Sequence, residues 1–329
     1  MCKLWSVTIY TSTLMRPILT LLIATAFAVQ GQAEDAEIAS LFSDAGVEGT
    51  IVIATLDGNQ RYVHNETRAA RRFPSASTFK IFNTLIALEE GALSGFDEVI
   101  RWDGLVHDFA DWNQDHTIKS AYAVSCVWCY QELARRIGGD RYRAHLARAG
   151  YGRLREPFDD TAFWLDGSLA ISAEEQLAFL RQVILQTLPY KASSYAGLRE
   201  VMLMEQSENY SLRAKTGWAA RSTPQIGWYV GYIEKPGATW IFAMNMDMRG
   251  KADLPLRQAL THASLRAKGI IEQSVGTGVA FRKSTGTLHW PAGNATKICY
   301  STAFGSPRGY NCQSNLACSE RPAELLSTP

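Results

Sequence analysis

The chain has 329 residues, a formal net charge of +1 at pH 7 and 47% hydrophobic residues. That size and apolar content allow a large buried core, and the near-neutral charge gives no footing for a nucleic-acid partner or an anionic membrane surface. Its cysteines and histidines show no zinc-site spacing, so no metal is expected.

At the front, Met15-Arg16 precedes an apolar run from Pro17 to Val29, and Gly31-Gln32-Ala33 offers a small-residue cleavage site before Glu34-Asp35. This is the pattern of a secretory signal over residues 1–33, with Met15 itself a natural start. The run is short for a membrane span. The mature protein is therefore expected to be exported and free of the membrane, with an uncleaved anchor as the alternative.

Residues 34–48 read as a short helix with Ile38, Leu41 and Phe42 on one side and Gly46 at its end. Residues 50–55 are rich in β-formers, Asp57-Gly58 signals a hairpin turn, and Arg61-Tyr62-Val63-His64 continues as the partner strand. Pro74 stands ahead of Ser77-Thr78-Phe79-Lys80, which opens an apolar helical run through Ile81, Phe82, Leu85, Ile86 and Leu88 to Gly91. Residues 97–124 are loop-rich, with aromatics at Trp102, Phe109, Trp112 and Tyr122. A helix over 126–137 stops at Gly138-Gly139. It opens on Cys126-Val127-Trp128-Cys129, the spacing of a redox pair. The apolar flanks Ala121, Val124 and Tyr130 favour two packed thiols instead, and a bond across one turn would constrain little.

Ser172-Ala173-Glu174-Glu175 is a capping box, and the helix it opens ends by Pro189. A further helix covers 195–205. Residues 211–215, 226–234 and 239–246 then read as a three-stranded meander, and 254–268 returns to helix. Strands thus occupy both ends and helices the middle. The expectation is an α+β fold over 34–271, with an antiparallel sheet formed by both ends, flanking helices and an inserted helical lobe. Residues 272–329 carry Gly, Ser, Thr and three cysteines without a period. They read as a tail outside the folded unit, either disordered or translated past the usual stop.

The chemistry begins at Ser77 and Lys80. Residues i and i+3 share a helix face, so the amine can lie beside the hydroxyl. Serine is a weak nucleophile until a base adjoins it, and burial turns lysine into a base by penalising its charged form. Alone, the pair is a weak signal. Ser125 follows, with Val127 two residues on, and then Lys215-Thr216-Gly217 on a strand. Ser125 can relay a proton to a leaving amine. Lys215 adds positive charge, Thr216 offers a hydroxyl to a carboxylate, and Gly217 lets a substrate lie edge-on against the strand. The N–H groups of Ser77 and Trp218 can form an oxyanion hole. Lys215-Thr216-Gly217 alone reads as a turn at a strand end; in this order with the other two elements, chance is a poor explanation.

These residues resemble the class D β-lactamases, the OXA-type oxacillinases, over about residues 36–271. The resemblance is carried by Pro74-Ser75-Ala76-Ser77-Thr78-Phe79-Lys80, Ser125-x-Val127, Phe163-Trp164-Leu165-Asp166-Gly167-Ser168-Leu169-x-Ile171-Ser172, Lys215-Thr216-Gly217-Trp218, Gly227-Trp228-Tyr229-Val230-Gly231 and Leu254-Pro255-Leu256-Arg257. It implies a periplasmic hydrolase of penicillins that confers resistance and forms an acyl-enzyme on Ser77. It also implies that Lys80 takes up CO2 to become N6-carboxylysine, the general base, with no other cofactor than CO2 or bicarbonate. Val127 would keep the lysine pocket dry, Trp164 would donate its indole N–H to the carbamate, Leu165 would line the pocket, and Arg257 would hold the substrate carboxylate. Without the resemblance, Trp164 reads as an ordinary buried tryptophan and Arg257 as a surface helix cation. The implied partners are small-molecule β-lactams, and a homodimer is left open.

One segment departs from the family pattern, because Tyr151-Gly152-Arg153 has Arg where an amide is usual, which puts the 153–163 loop in question. Glu156 in that loop is read as a plain loop carboxylate. Two rivals share the fold: a β-lactam sensor domain that stays acylated, and a D-Ala-D-Ala transpeptidase or carboxypeptidase. The sensor predicts N-terminal transmembrane helices, and the transpeptidase prefers an amide where Val127 stands. Hydrolase is the favoured reading.

Overall fold

Local signals set most of the elements of the computed structural model, which describes residues 34–272. The expected leader over 1–33 and the tail from 273 onward lie outside the described residues. In chain order the first elements are α1 (Ala36–Ala45), β1 (Gly49–Thr55), β2 (Arg61–His64), α2 (Glu66–Ala70), β3 (Phe73–Pro74) and α3 (Lys80–Glu89). The lobe that follows holds α4 (Ile118–Ala123), α5 (Val127–Ile137) and α6 (Gly139–Ala149), then β4 (Arg153–Leu154), β5 (Leu169–Ile171), α7 (Ala173–Leu185) and α8 (Ala192–Val201). The last are β6 (Leu203–Gln206), β7 (Ser211–Ala219), β8 (Gln225–Lys235), β9 (Ala238–Met248) and α9 (Leu256–Ala267).

The main sheet runs β2-β1-β9-β8-β7-β6, antiparallel throughout. Its first and last parts in sequence meet where β1 pairs with β9, so both ends of the chain build one sheet. Strand alternation sends Val52, Trp228, Val230 and Ala243 to one face and Ile51, Ile53, Tyr229, Phe242 and Met244 to the other. The first face packs on the lobe with α3 and α7, and the second on α1 and α9. A second, three-stranded sheet, β3-β5-β4, holds the segment just before Ser77. Every residue of α3 from Lys80 to Ala87 is buried, as befits a helix enclosed on all sides.

The capping signals are realised. Ser172 accepts from the Glu175 N–H while the Glu175 carboxylate accepts from the Ser172 N–H, and Gly46 ends α1 in the left-handed conformation at φ 61°.

The helix expected over 126–137 ends at Gly138 as read, at φ 83°, and a further helix, α6, begins at once. Three expectations need correction. The loop-rich 97–124 segment contains α4, opened by a reciprocal cap between Thr117 and Ser120. The helix expected over 195–205 ends at Val201, and residues from Leu203 pair with β7 instead, because the β7 edge satisfies their backbone groups. Finally, Cys126 and Cys129 are not two packed thiols but a disulfide. Cys126 is the N-cap of α5, outside the helix proper. That position sets the two Cα atoms 5.5 Å apart, within bonding range.

Gly231 of β8 lies against β7 where no side chain fits. A β-carbon there would run into the Arg213 carbonyl and come within 2.6 Å of the Ala214 Cβ. Gly231→Ala should lower stability by about 1–3 kcal/mol, read as a drop in thermal midpoint; an unchanged midpoint would mean that the two strands separate freely there.

Candidate active site

Ser77 lies on a 3-10 turn over Ala76–Phe79, and Lys80 is the first residue of α3. The turn is fixed from behind. Ser75 N–H donates to the Leu169 carbonyl, and the Trp228 indole donates to the Pro74 carbonyl. The buried Gln176 amide of α7 donates to the Thr78 hydroxyl at 2.7 Å, and that hydroxyl donates to the Ser75 carbonyl at 2.6 Å. Ala76, immediately before Ser77, sits at φ 47°. A non-glycine residue is held there only where its surroundings over-determine the backbone.

The Lys80 Nζ lies 2.9 Å from Ser77 Oγ, and the side chain is completely buried. The Tyr130 ring stands 5.0 Å from the amine. Burial first, and the charge of Lys215 second, push the Lys80 pKa well below the ordinary lysine value of 10.5. Lys215, on β7, is also buried and is brought down to about 7, by burial and then by Arg257. Arg257, on α9, is lowered to about 10 by burial. It is no surface cation, being only 8% exposed, and its Nε and Nη1 donate to the carbonyls of Leu254 and Gly217.

Beyond its short pairing with β6, strand β7 pairs with no other strand on that edge among the described residues. The Ala214 N–H points outward to the Met202 carbonyl, and alternation along a strand puts the N–H of Thr216 and Trp218 on the same side. That edge faces the Ser77 turn, and a β-carbon on Gly217 would crowd the Thr78 backbone nitrogen at 3.3 Å. A cavity of about 250 Å³ opens between them. Ser77, Ser125, Val127, Leu165, Thr216, Gly217, Trp218 and Arg257 all line it. Lys80, Lys215 and Trp164 lie buried behind its wall. The Trp164 indole N–H is fully buried and has no hydrogen-bond partner among the described residues, an uncompensated cost of about 1–3 kcal/mol.

Phe109, Trp112, Val124 and Leu254, which sequence alone did not assign to the site, complete an apolar rim. Phe109 and Trp112 stand out in the sequence as aromatics in a loop, but nothing local ties that loop to Ser77. Ser125 sits at φ 58° between α4 and α5, which sequence also does not show. Arg153 is exposed on β4, and Glu156 is exposed and paired with Arg143 at 2.7 Å; neither lines the cavity. His116 comes within 4.8 Å of the sulfurs of Cys126 and Cys129. These are not metal ligands as they stand. The sulfurs are bonded to each other, and the ring nitrogens face Ser120 Oγ and the Asp111 carbonyl at 3.0 Å.

Residues 49–266 match the family model of the penicillin binding protein transpeptidase domain. Beta-lactamase OXA-3 of Pseudomonas aeruginosa is 39% identical over 74% of this chain and 88% of its own length. Beta-lactamase OXA-48 of Klebsiella pneumoniae is 40% identical over 70% of this chain and 87% of its own. Among solved structures, the class D β-lactamase YbXI from Nostoc superposes with a TM-score of 0.69 at 39% identity, covering 71% of this chain and 99% of that one. FUS-1 (OXA-85), a class D β-lactamase of Fusobacterium nucleatum subsp. polymorphum, gives 0.71 at 33% identity, over 73% and 100%.

The depressed lysines are measurable. In CO2-free buffer, 15N-lysine spectra should show two lysines titrating below the rest, with Lys215 near 7 and Lys80 also well below 10.5. Each is neutral above its own pKa and protonated as pH falls through it. Lys80→Ala should remove one of the two signals; a Lys80 that titrates with the surface lysines would mean the amine is solvated.

Proposed function

The chain belongs to the class D β-lactamases, which are hydrolases, and we propose that it opens the β-lactam amide of oxacillin-type penicillins through an acyl-enzyme on Ser77. The observation that carries this reading is the dry Lys80 amine, 2.9 Å from the Ser77 hydroxyl and shifted toward its neutral form. Only a neutral amine has the lone pair to take up CO2. The unpartnered Trp164 N–H behind the cavity supports that modification, since it lacks an acceptor that a carbamate on Lys80 would provide. When present, the carbamate supplies a general base for Ser77 and later for water.

Each remaining residue has a task in this scheme. Ser77 Oγ forms a bond to the β-lactam carbonyl carbon while the ring C–N bond breaks. The N–H groups of Ser77 and Trp218 hold the developing oxyanion; losing one such donor typically costs about 2.7–4 kcal/mol of barrier. Ser125, with Lys215 at a pKa near 7, hands a proton to the leaving ring nitrogen. Thr216 and Arg257 receive the substrate carboxylate, for which the arginine fork is suited. Val127 and Leu165 keep bulk water from the lysine while admitting the one molecule that cleaves the ester. The apolar rim of Phe109, Trp112, Val124 and Leu254 favours penicillins with a bulky aryl side chain. Residues 34–271 form the catalytic unit in this reading, and the leader over 1–33 delivers it to the periplasm, where it protects the cell from the antibiotic.

Two outcomes test the scheme. Lys80→Ala should acylate slowly and then stall, so that mass spectrometry finds the acyl-enzyme on Ser77 accumulating; turnover at the wild-type rate would remove Lys80 as base. Trp164→Phe should lose rate in CO2-depleted buffer and regain most of it with bicarbonate. No response to bicarbonate would show that the indole does not hold the modified lysine.

A further inference from the structure

We propose that the Cys126–Cys129 disulfide is a positioning element for Ser125, so that the oxidation state of this one bridge sets the rate of proton transfer in the site. The proposal rests on the reading of Ser125 as a proton relay.

Ser125 is the residue between two helices, and its backbone lies in the left-handed region at φ 58°. That is the backbone of a cap closing α4, in which the Ser125 N–H donates to the Tyr122 carbonyl at 3.1 Å and the Cys126 N–H to the Ala121 carbonyl at 2.9 Å. Both neighbours are tied. On one side the Trp112 indole N–H donates to the Val124 carbonyl at 2.9 Å. On the other, Cys126 is bonded to Cys129, one turn into α5. The two ties are joined, because Trp128 lies inside the bridged segment and its indole N–H donates to the Trp112 carbonyl at 2.8 Å. Val124, Trp112, Trp128 and Cys126 thus form a closed frame around one serine. Val127, the apolar wall of the cavity, lies inside the bridged segment as well.

The N-cap explains why the bridge matters despite its short span. Helices usually start on Ser, Thr, Asp or Asn, whose oxygen accepts from the first turn. Here the Cys126 sulfur takes that place, 3.2 Å from the Cys129 nitrogen, and sulfur is a weak acceptor. The backbone bonds of Ser125 and Cys126 reach back to α4, so on the α5 side Cys126 has the covalent link and this weak cap, and Ser125 adjoins it directly. A one-turn bond closes too short a loop to do much for the fold as a whole, but it acts directly on the residue next to it. Both sulfurs are completely buried, so the link is shielded from casual exchange. Forming it converts two thiols to one disulfide, with two protons and two electrons passing to a disulfide oxidant of the exchange class. A small dithiol reverses this by becoming a disulfide itself.

The test uses the full chain with saturating bicarbonate, so that Lys80 modification is not limiting. Peptide mapping after denaturing alkylation should find Cys126 and Cys129 linked in active protein; free thiols at both positions would overturn the proposal. Reduction with a dithiol should slow single-turnover acylation by a chromogenic β-lactam by about tenfold, with kcat falling more than KM, and reoxidation should restore it. The Cys126→Ala/Cys129→Ala protein should be equally slow and indifferent to the reductant, which separates this bridge from the other cysteines. A reduced or doubly substituted protein that melts lower but acylates at full rate would make the bridge merely structural and sink the proposal. Ser125→Ala closes the cycle. It should be slow, and reduction should slow it no further. An equal additional loss in that background would place the effect elsewhere. A fast Ser125→Ala protein would instead refute the relay role itself, and with it the proposal.

Discussion

Removal of water from one amine is the constraint on which the rest of this molecule depends. Lys80 is buried among hydrocarbon and aromatic rings, and an ammonium there would forfeit its hydration without a counter-charge. The amine is therefore pushed toward neutrality, and neutrality makes it useful to Ser77. Much of the architecture can be understood as maintaining that dryness. Helix α3 is enclosed on all sides, the Ser77 turn is pinned by Gln176, Trp228 and Leu169, and Val127 and Leu165 line the cavity.

The cations are arranged as a graded series. Arg257 at the surface of the cavity is lowered least, and its charge helps to depress Lys215; the charge of Lys215 in turn depresses Lys80. Positive charge is thus favoured at Arg257, which lines the cavity, and disfavoured at the amine beside Ser77. No carboxylate is required for this division of labour, which agrees with Glu156 being engaged by Arg143 outside the cavity.

Legibility in the sequence followed the range of the forces involved. The hairpin at Asp57-Gly58, the cap at Ser172 and the pairing of Ser77 with Lys80 rest on contacts within a few residues, and the meander from Ser211 joins strands adjacent in sequence by short turns, so all four can be seen in the chain. Strand β6 could not, because its residues take their shape from the edge of β7 rather than from their own period. The same holds for Phe109 and Trp112, whose place beside Ser77 is set by tertiary packing of an irregular loop. Helix α6 was hidden for a different reason. Gly138 ends α5 as two adjacent glycines suggest, and nothing local announces that a new helix starts on the second of them. The Cys126–Cys129 bond depends on one residue standing outside the helix, a boundary that sequence places only to within a residue or two.

Gly227 shows how closely sheet and site share their atoms. A β-carbon at this position would strike the Met248 sulfur and come within 2.9 Å of Arg257 Cδ. The arginine reaches the cavity by crossing the bare backbone of β8, so the absence of a side chain in one strand is the passage for a side chain from a helix. Drift at position 227 is therefore barred twice over, once by the interior of the sheet and once by the path that Arg257 takes to the cavity.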